Sequence, residues 1–205
     1  VTSEDSRFSF HSLAPEQTRS AAFSLARVLP GEGIVLSLSG GLGVGKTQFV
    51  KGLAEGLGLD PASVTSPTFA IVNEYGAGAG PGLIHMDFYR LESEMALEEV
   101  GFLDLLAAGV ILAIEWGDRF PNALPEDRME IQLERPAVAI ASTEQNGLEG
   151  AVAEISNENE VQHPPNAVER SPREFRISAL GPVSQTTLRK WRDAQPWEGA
   201  IESAK

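Results

Sequence analysis

The stretch Ile34-Val35-Leu36-Ser37-Leu38-Ser39-Gly40-Gly41-Leu42-Gly43-Val44-Gly45-Lys46-Thr47 decides the fold. Its first part is a short aliphatic and β-branched run, the pattern of a central strand buried on both faces. Glycines follow, and beyond Thr47 the residues Phe49, Val50, Leu53, Ala54 and Leu57 recur at helical spacing. Strand, glycine-rich loop and helix in that order give Gly40–Thr47 the context that the phosphate-binding pattern G-x-x-x-x-G-K-[ST] requires. Each residue type has a physical reason. Glycines let successive backbone N–H groups turn onto phosphate oxygens, and the following helix presents its positive N-terminus to the same anion. On this reading Lys46 reaches the β- and γ-phosphates and Thr47 offers its hydroxyl to Mg²⁺.

Working outward, Phe8–Leu13 alternates as a half-buried strand, and a helix starting at Pro15-Glu16-Gln17 runs to about Leu29 before Pro30-Gly31 stops it. On the other side, Thr65-Ser66-Pro67-Thr68 precedes a strand expected over Phe69–Tyr75, and a glycine-rich connection leads to another over Leu83–Tyr89. Residues 93–107 carry helical patterning broken at Gly101, Val110–Ile114 is the most hydrophobic strand, and Met129–Glu134 alternates as one more. From 136 to 172 the texture turns to Ala, Ser, Asn, Glu, Gln and a Pro-Pro pair, which reads as a polar, mobile insertion. Order is expected to resume with a strand over Phe175–Leu180 and a helix over Ser184–Asp193. Strands interleaved with helices specify an α/β class, a P-loop NTPase-like layered fold whose central, mostly parallel sheet is flanked by helices. The expected organisation is a core over 1–135, the insertion at 136–172, and a last strand and helix over 173–205 that complete the core or are appended to it.

Composition narrows the function classes. With 42% hydrophobic and 22% charged residues in 205, the chain has the makeup of an ordinary globular protein. Its longest apolar run, Leu105–Ile114, is far short of the ~18 residues a membrane-spanning helix needs. No cysteine is present, which excludes disulfides, Cys-ligated metals and thiol catalysis. Val1–Asp5 has neither a basic nor an apolar leader character, so a cytoplasmic location is expected. Residues 1–134 carry 8 basic and 19 acidic side chains, against 8 and 10 in 135–205. Such acidity suits a basic protein partner better than a direct grip on a nucleic-acid backbone.

Mg²⁺ also needs a carboxylate, usually from the C-terminal end of an apolar strand. Asp87 and Glu115 both stand there, and open α/β sheets bind ligands beyond the carboxyl ends of their strands. One would hold the metal and the other its water shell or the nucleophile. His85 reads as a packed strand residue, and Trp116 and Phe69 as core. There is no G-x-S-x-G elbow, and the Asn-Lys-x-Asp of guanine-selective proteins is absent, which favours ATP.

The ordered series Gly40–Thr47, Thr65-Ser66-Pro67-Thr68-Phe69, His85-Met86-Asp87-Phe88-Tyr89-Arg90-Leu91, Glu98-Glu99-Val100-Gly101 and Ile114-Glu115-Trp116 resembles the TsaE (YjeE) family over about residues 8–135. The resemblance implies a cytoplasmic ATPase that works with TsaB and TsaD in the N6-threonylcarbamoyladenosine modification of tRNA at position 37. It implies that Lys46 and the loop from Gly41 through Leu42, Gly43, Val44 and Gly45 to Thr47 and Gln48 hold ATP. It further implies that Thr47 and Asp87 bind Mg²⁺, that Glu115 assists hydrolysis or metal hydration, that Ser66-Pro67-Thr68 forms a switch-like loop by the γ-phosphate, and that Trp116 lies close to the site. The sequence departs from the family pattern at Gly41, where an acidic residue is common, and in the length of 136–172. Two other classes stay open, a small-molecule or nucleotide kinase and a nucleotide-dependent binding module without turnover. A kinase would need arginines to clamp the transferred group, and between Lys51 and Arg90 there is no basic residue, which leaves Arg119 and Arg128.

Overall fold

The computed structural model describes residues 6–31, 33–76, 82–136 and 172–194. Along the chain they form β1 (Arg7–Ser12), α1 (Pro15–Ala26), β2 (Ile34–Ser39), α2 (Lys46–Gly56), β3 (Val72–Tyr75), β4 (Leu83–Asp87), α3 (Glu94–Glu99), α4 (Phe102–Ala107), β5 (Ile111–Glu115), β6 (Met129–Glu134), β7 (Arg173–Ala179) and α5 (Pro182–Ala194). All seven strands join one sheet in the order β1-β7-β6-β2-β5-β4-β3. The middle four, β6, β2, β5 and β4, run parallel, while β1, β7 and β3 pair antiparallel at the two sides. The mixed α/β class with a parallel centre is the one the sequence pattern specifies.

Alternation along the central strands builds two cores. Ile34, Leu36 and Leu38 of β2, with Ile111 and Ala113 of β5, pack beneath α1, α2 and α5. Val35, Leu112 and Ile114, with Ile84 and Met86 of β4, face the opposite way and meet Leu97 and Phe102 of α3 and α4. Full burial of such aliphatic side chains stabilises the fold by about 1.5–3 kcal/mol each. The α1–α2 contact is close because Gly52 faces α1: a Cβ there would lie 2.2 Å from Arg19 O. This docking fixes α2, and with it the loop from which α2 starts. At the far end, α5 is tied down by Asp127, whose carboxylate accepts from Val183 N at 2.8 Å and Ser184 N at 3.0 Å, and by Trp191, whose buried indole donates to Ser24 Oγ at 2.8 Å.

Several boundaries differ from the sequence reading. The strand expected from Phe69 starts only at Val72, because Ile71 takes a left-handed φ of 69° and closes a turn by donating from its N–H to Pro67 O. Phe69 is therefore not core: it is 82% exposed, with the Arg90 guanidinium 4.2 Å above its ring. The strand expected over Leu83–Tyr89 stops at Asp87, where the Asp87 carboxylate turns back to accept from Tyr89 N at 2.8 Å. The helix expected over 93–107 is two short ones, α3 and α4, separated at Gly101 as its pattern indicated. The polar insertion lies almost wholly outside the described residues, apart from its flanks at 135–136 and 172.

Those flanks lead into neighbouring antiparallel strands, with Glu134 opposite Glu174. Residues 137–171 thus join two strand ends that already sit side by side. Replacing them by a short Gly-Ser turn is expected to leave the protein soluble and its thermal midpoint within a few degrees, since halving a loop changes closure by only ~0.6 kcal/mol. Calorimetry of the shortened chain checks this; an insoluble or markedly destabilised product would mean that the segment packs on the core.

Candidate functional site

The loop of Gly40–Gly45 leaves the carboxyl end of β2 and enters α2 beneath the parallel centre of the sheet. Gly40 has φ 127°, and a Cβ there would lie 2.1 Å from Leu133 O, so no other residue fits. Gly45 has φ 117° and passes close to the Arg173 side chain. At Gly41 a Cβ would meet nothing within 4 Å, so a side chain has room there. Leu42 is 80% exposed at the tip.

Beneath the loop the strands deliver the carboxylates. On β4 and β5 Asp87 and Glu115 occupy paired register positions, and both are buried. Alternation turns them to the face that carries α2. Thr47 Oγ1, in the first turn of α2, donates to Glu115 Oε1 at 2.7 Å. Thr68 Oγ1 donates to Asp87 Oδ2 at 2.6 Å, and Ser66 Oγ approaches the same oxygen at 3.4 Å. The Ser66-Pro67-Thr68 segment and the loop are thereby linked to two adjacent strand ends.

Lys46 is a buried cation of the site. Its Nζ donates to Gly40 O at 2.8 Å and Gly41 O at 3.0 Å and stands 3.9 Å from the centre of the Trp116 ring. Burial pushes its ammonium below the ordinary lysine value, and the carboxylates of Glu115, Asp87 and Asp118 offset part of that loss. Trp116 reaches this position through a left-handed backbone, φ 60°, anchored by Trp116 N donating to Leu38 O at 2.8 Å. It is half-buried and packs beside Tyr89, at 5.1 Å between ring centres. The core assignment of Trp116 is thus only half right, since its ring also forms a wall of the site.

All this lines one cleft of about 650 Å³, which takes in Leu42 to Gln48, Ser66, Thr68, Asp87, Glu115 and Trp116. Of the loop and switch-like segment residues singled out from the sequence, Gly40, Gly41 and Pro67 lie off the cleft lining, Gly41 at the exposed rim. The donor set is all oxygen where a divalent cation would sit, namely the Thr47 hydroxyl with the Asp87 and Glu115 carboxylates, and that suits a hard ion such as Mg²⁺. A glycine-rich loop, a helix N-terminus and Lys46 suit a polyphosphate. The volume is of the size usual for small-ligand sites.

Sequence reading missed two contributors. His85 is wholly buried, and its Nε2 lies 2.9 Å from Glu115 Oε1, so with Glu115 ionised Nε2–H is the donor. Its Nδ1 is buried with no hydrogen-bond partner among the described residues. The spacing of His85 and Asp87, two apart on a strand, was a signal that they share a face. The other contributor is a pair of arginines. Arg173 Nε donates to Val44 O at 2.7 Å and Arg135 Nη2 to Gly43 O at 2.8 Å, from positions far along the chain that carry no local signal. Arg119 and Arg128, the arginines left for a kinase clamp, are engaged elsewhere: Arg119 with Tyr89 O and Leu91 O, Arg128 with Pro125 O and Glu130.

Comparison with known proteins supplies the family. A family model described as threonylcarbamoyl adenosine biosynthesis protein TsaE matches residues 13–142. The tRNA threonylcarbamoyladenosine biosynthesis protein TsaE of Bacillus subtilis (strain 168) is 42% identical over 122 residues, covering 59% of this chain and 73% of that protein. The same-named protein of Streptomyces coelicolor is 41% identical over 112 residues, covering 54% and 74% respectively. The crystal structure of Bacillus subtilis YdiB superimposes with a TM-score of 0.60 at 26% identity, over 91% of this chain and 95% of that one. Motif order, fold and a family match across well over half its length place the chain in one family: it belongs to the TsaE family of tRNA threonylcarbamoyladenosine biosynthesis proteins.

Proposed function

We propose that this protein binds ATP with Mg²⁺ and hydrolyses it, as the ATPase subunit that acts with TsaD and TsaB in threonylcarbamoyladenosine modification of tRNA. The observation that carries the reading is the convergence of Lys46, Thr47, Asp87 and Glu115 on one cleft at the carboxyl ends of parallel strands. Two buried carboxylates beside a phosphate-binding loop would repel a polyphosphate by themselves. Thr47 and Asp87 would hold a divalent cation there, which would offset that repulsion and supply charge neutralisation for the transferring phosphoryl group.

The chain's own groups divide the remaining work. The loop amides and Lys46 hold the β- and γ-phosphates. Thr47 and Asp87 supply oxygen ligands, and Glu115, fixed by Thr47 and His85, is placed to orient a water or take its proton. Thr68 connects the switch-like segment to Asp87, so occupancy at the γ-position is felt in the turn closed by Ile71, which carries the exposed Phe69. TsaE relatives are named for the tRNA modification, and the acidic surface read from the sequence gives a basic partner something to dock on. No helix among the described residues is long and apolar enough to cross a membrane.

Phosphate release tests the reading. The purified chain is expected to hydrolyse ATP slowly with Mg²⁺, to be stimulated at least ~10-fold by a TsaB–TsaD pair, and to associate less tightly as salt screens surface charge beyond ~10 Å at 0.1 M. Rapid turnover that the pair leaves unchanged would favour a self-sufficient ATPase. Transfer to a small acceptor in place of water would favour a kinase, against which the engagement of Arg119 and Arg128 already argues.

A further inference from the structure

The two arginines that meet the glycine-rich loop stand at either end of residues 136–172, one after β6 and one opening β7. Arg173 is 4% exposed, which is rare for an arginine and demands a specific use. Its Nε donates to Val44 O at 2.7 Å, and it lies against Gly45, where a Cβ would be 3.3 Å from that nitrogen. A trans peptide holds its C=O and N–H in opposite directions. Pinning the Val44 carbonyl on Arg173 therefore fixes the direction of the Gly45 N–H, opposite to that carbonyl, at the start of α2. Arg135 Nη2 likewise holds Gly43 O at 2.8 Å from an exposed position, while the N–H of that peptide, Val44 N, donates back to Gly41 O at 3.4 Å. Arg173 also lines the cleft itself.

We infer that Arg173 is a positioning residue for phosphate binding, which presets the Val44–Gly45 peptide of the cradle from the strand that follows the insertion. The inference rests on the nucleotide reading above and adds a residue that lies beyond the segment matched by the family model. Glycine-rich loops have many backbone states, and a loop that must order on binding loses affinity by the fraction of time it spends elsewhere. A buried, charge-assisted hydrogen bond from a guanidinium is a strong way of removing those states. Lysine is not equivalent, because its compact ammonium cannot keep the planar contact along Gly45.

The test compares ADP with adenosine in the presence of Mg²⁺, by calorimetry for ADP and saturation-transfer NMR for the weaker nucleoside, on the full chain. Arg173→Met is expected to weaken ADP at least ~10-fold while leaving adenosine within about twofold, since the loss of a charge-assisted bond acts only where phosphate meets the preset amide. Arg173→Lys should fall between, and where Arg173→Met fails to fold, the lysine variant decides by the same ratio. ADP affinity within twofold of the parent, or equal losses for ADP and adenosine, would overturn the inference and leave Arg173 a structural residue. A parent protein that binds neither compound would overturn the nucleotide reading, and this inference with it.

Discussion

Asp87→Asn and Glu115→Gln are each expected to lower Mg²⁺-dependent ATP hydrolysis by two or more powers of ten without loosening the fold. Loss of a positioned metal or proton-transfer group commonly costs that much. The stability half of the expectation follows from the register: the two carboxylates face the same way from paired positions on β4 and β5, both buried. Bringing like charges together in a poorly solvated place is unfavourable. Either amide removes one charge while keeping the shape, so the thermal midpoint should hold or rise as activity falls. A residue that merely finishes a strand would show neither effect, and one that only stabilised the fold would lose both. The two variants also separate roles. If Asp87→Asn raises the Mg²⁺ concentration needed for half-maximal rate and Glu115→Gln does not, Asp87 is the metal ligand and Glu115 the assistant to water. Full activity in both variants would remove the site from these strand ends.

Lys46→Ala should cost on the order of 10²–10³ in turnover, comparable with deleting a preorganised donor aimed at developing charge. The ammonium is held where it is needed by Gly40 O, Gly41 O and the face of Trp116, so little rearrangement separates its resting place from a phosphate in the cleft. Burial has weakened its hold on the proton, and a phosphate group arriving in the cleft supplies the negative charge that favours the charged form. Alanine leaves the loop amides in place, so nucleotide binding should weaken but persist while hydrolysis collapses. Equal turnover in the alanine variant and the parent protein would sink the assignment of the loop as the phosphate site.

Why so much of this site is readable from the chain, and why part of it is not, follows from where the chemistry sits. Gly40–Thr47 is contiguous, each residue type is dictated by one local demand, and Asp87 and Glu115 end strands whose apolar runs announce them. Trp116 and Phe69 show the limit. An aromatic after a strand says nothing of its burial, and it took the left-handed turns at Ile71 and Trp116 to put one ring in solvent and the other over Lys46. His85 was half visible, since its spacing from Asp87 fixes the face it occupies but not the hydrogen bond to Glu115. Arg173 was invisible in principle. Its contact with Val44 exists only because β7 inserts between β1 and β6, a long-range choice of neighbour that no local pattern encodes.

That same choice of neighbour sets a timetable for the chain as it is made. β1 emerges early, yet the strand it pairs with is β7, and Phe10 stacks on Phe175 with ring centres 4.6 Å apart. Until translation has passed Ala179, β1 is an unpaired strand carrying two phenylalanines and β6 an open sheet edge, the kind of surface that chaperones cover and neighbouring nascent chains can grasp. Pairings between such distant segments also make folding slow for a given stability. A ribosome that stops short of Arg173 releases a polypeptide with every letter of G-x-x-x-x-G-K-[ST], both strand-end carboxylates and an unclosed sheet.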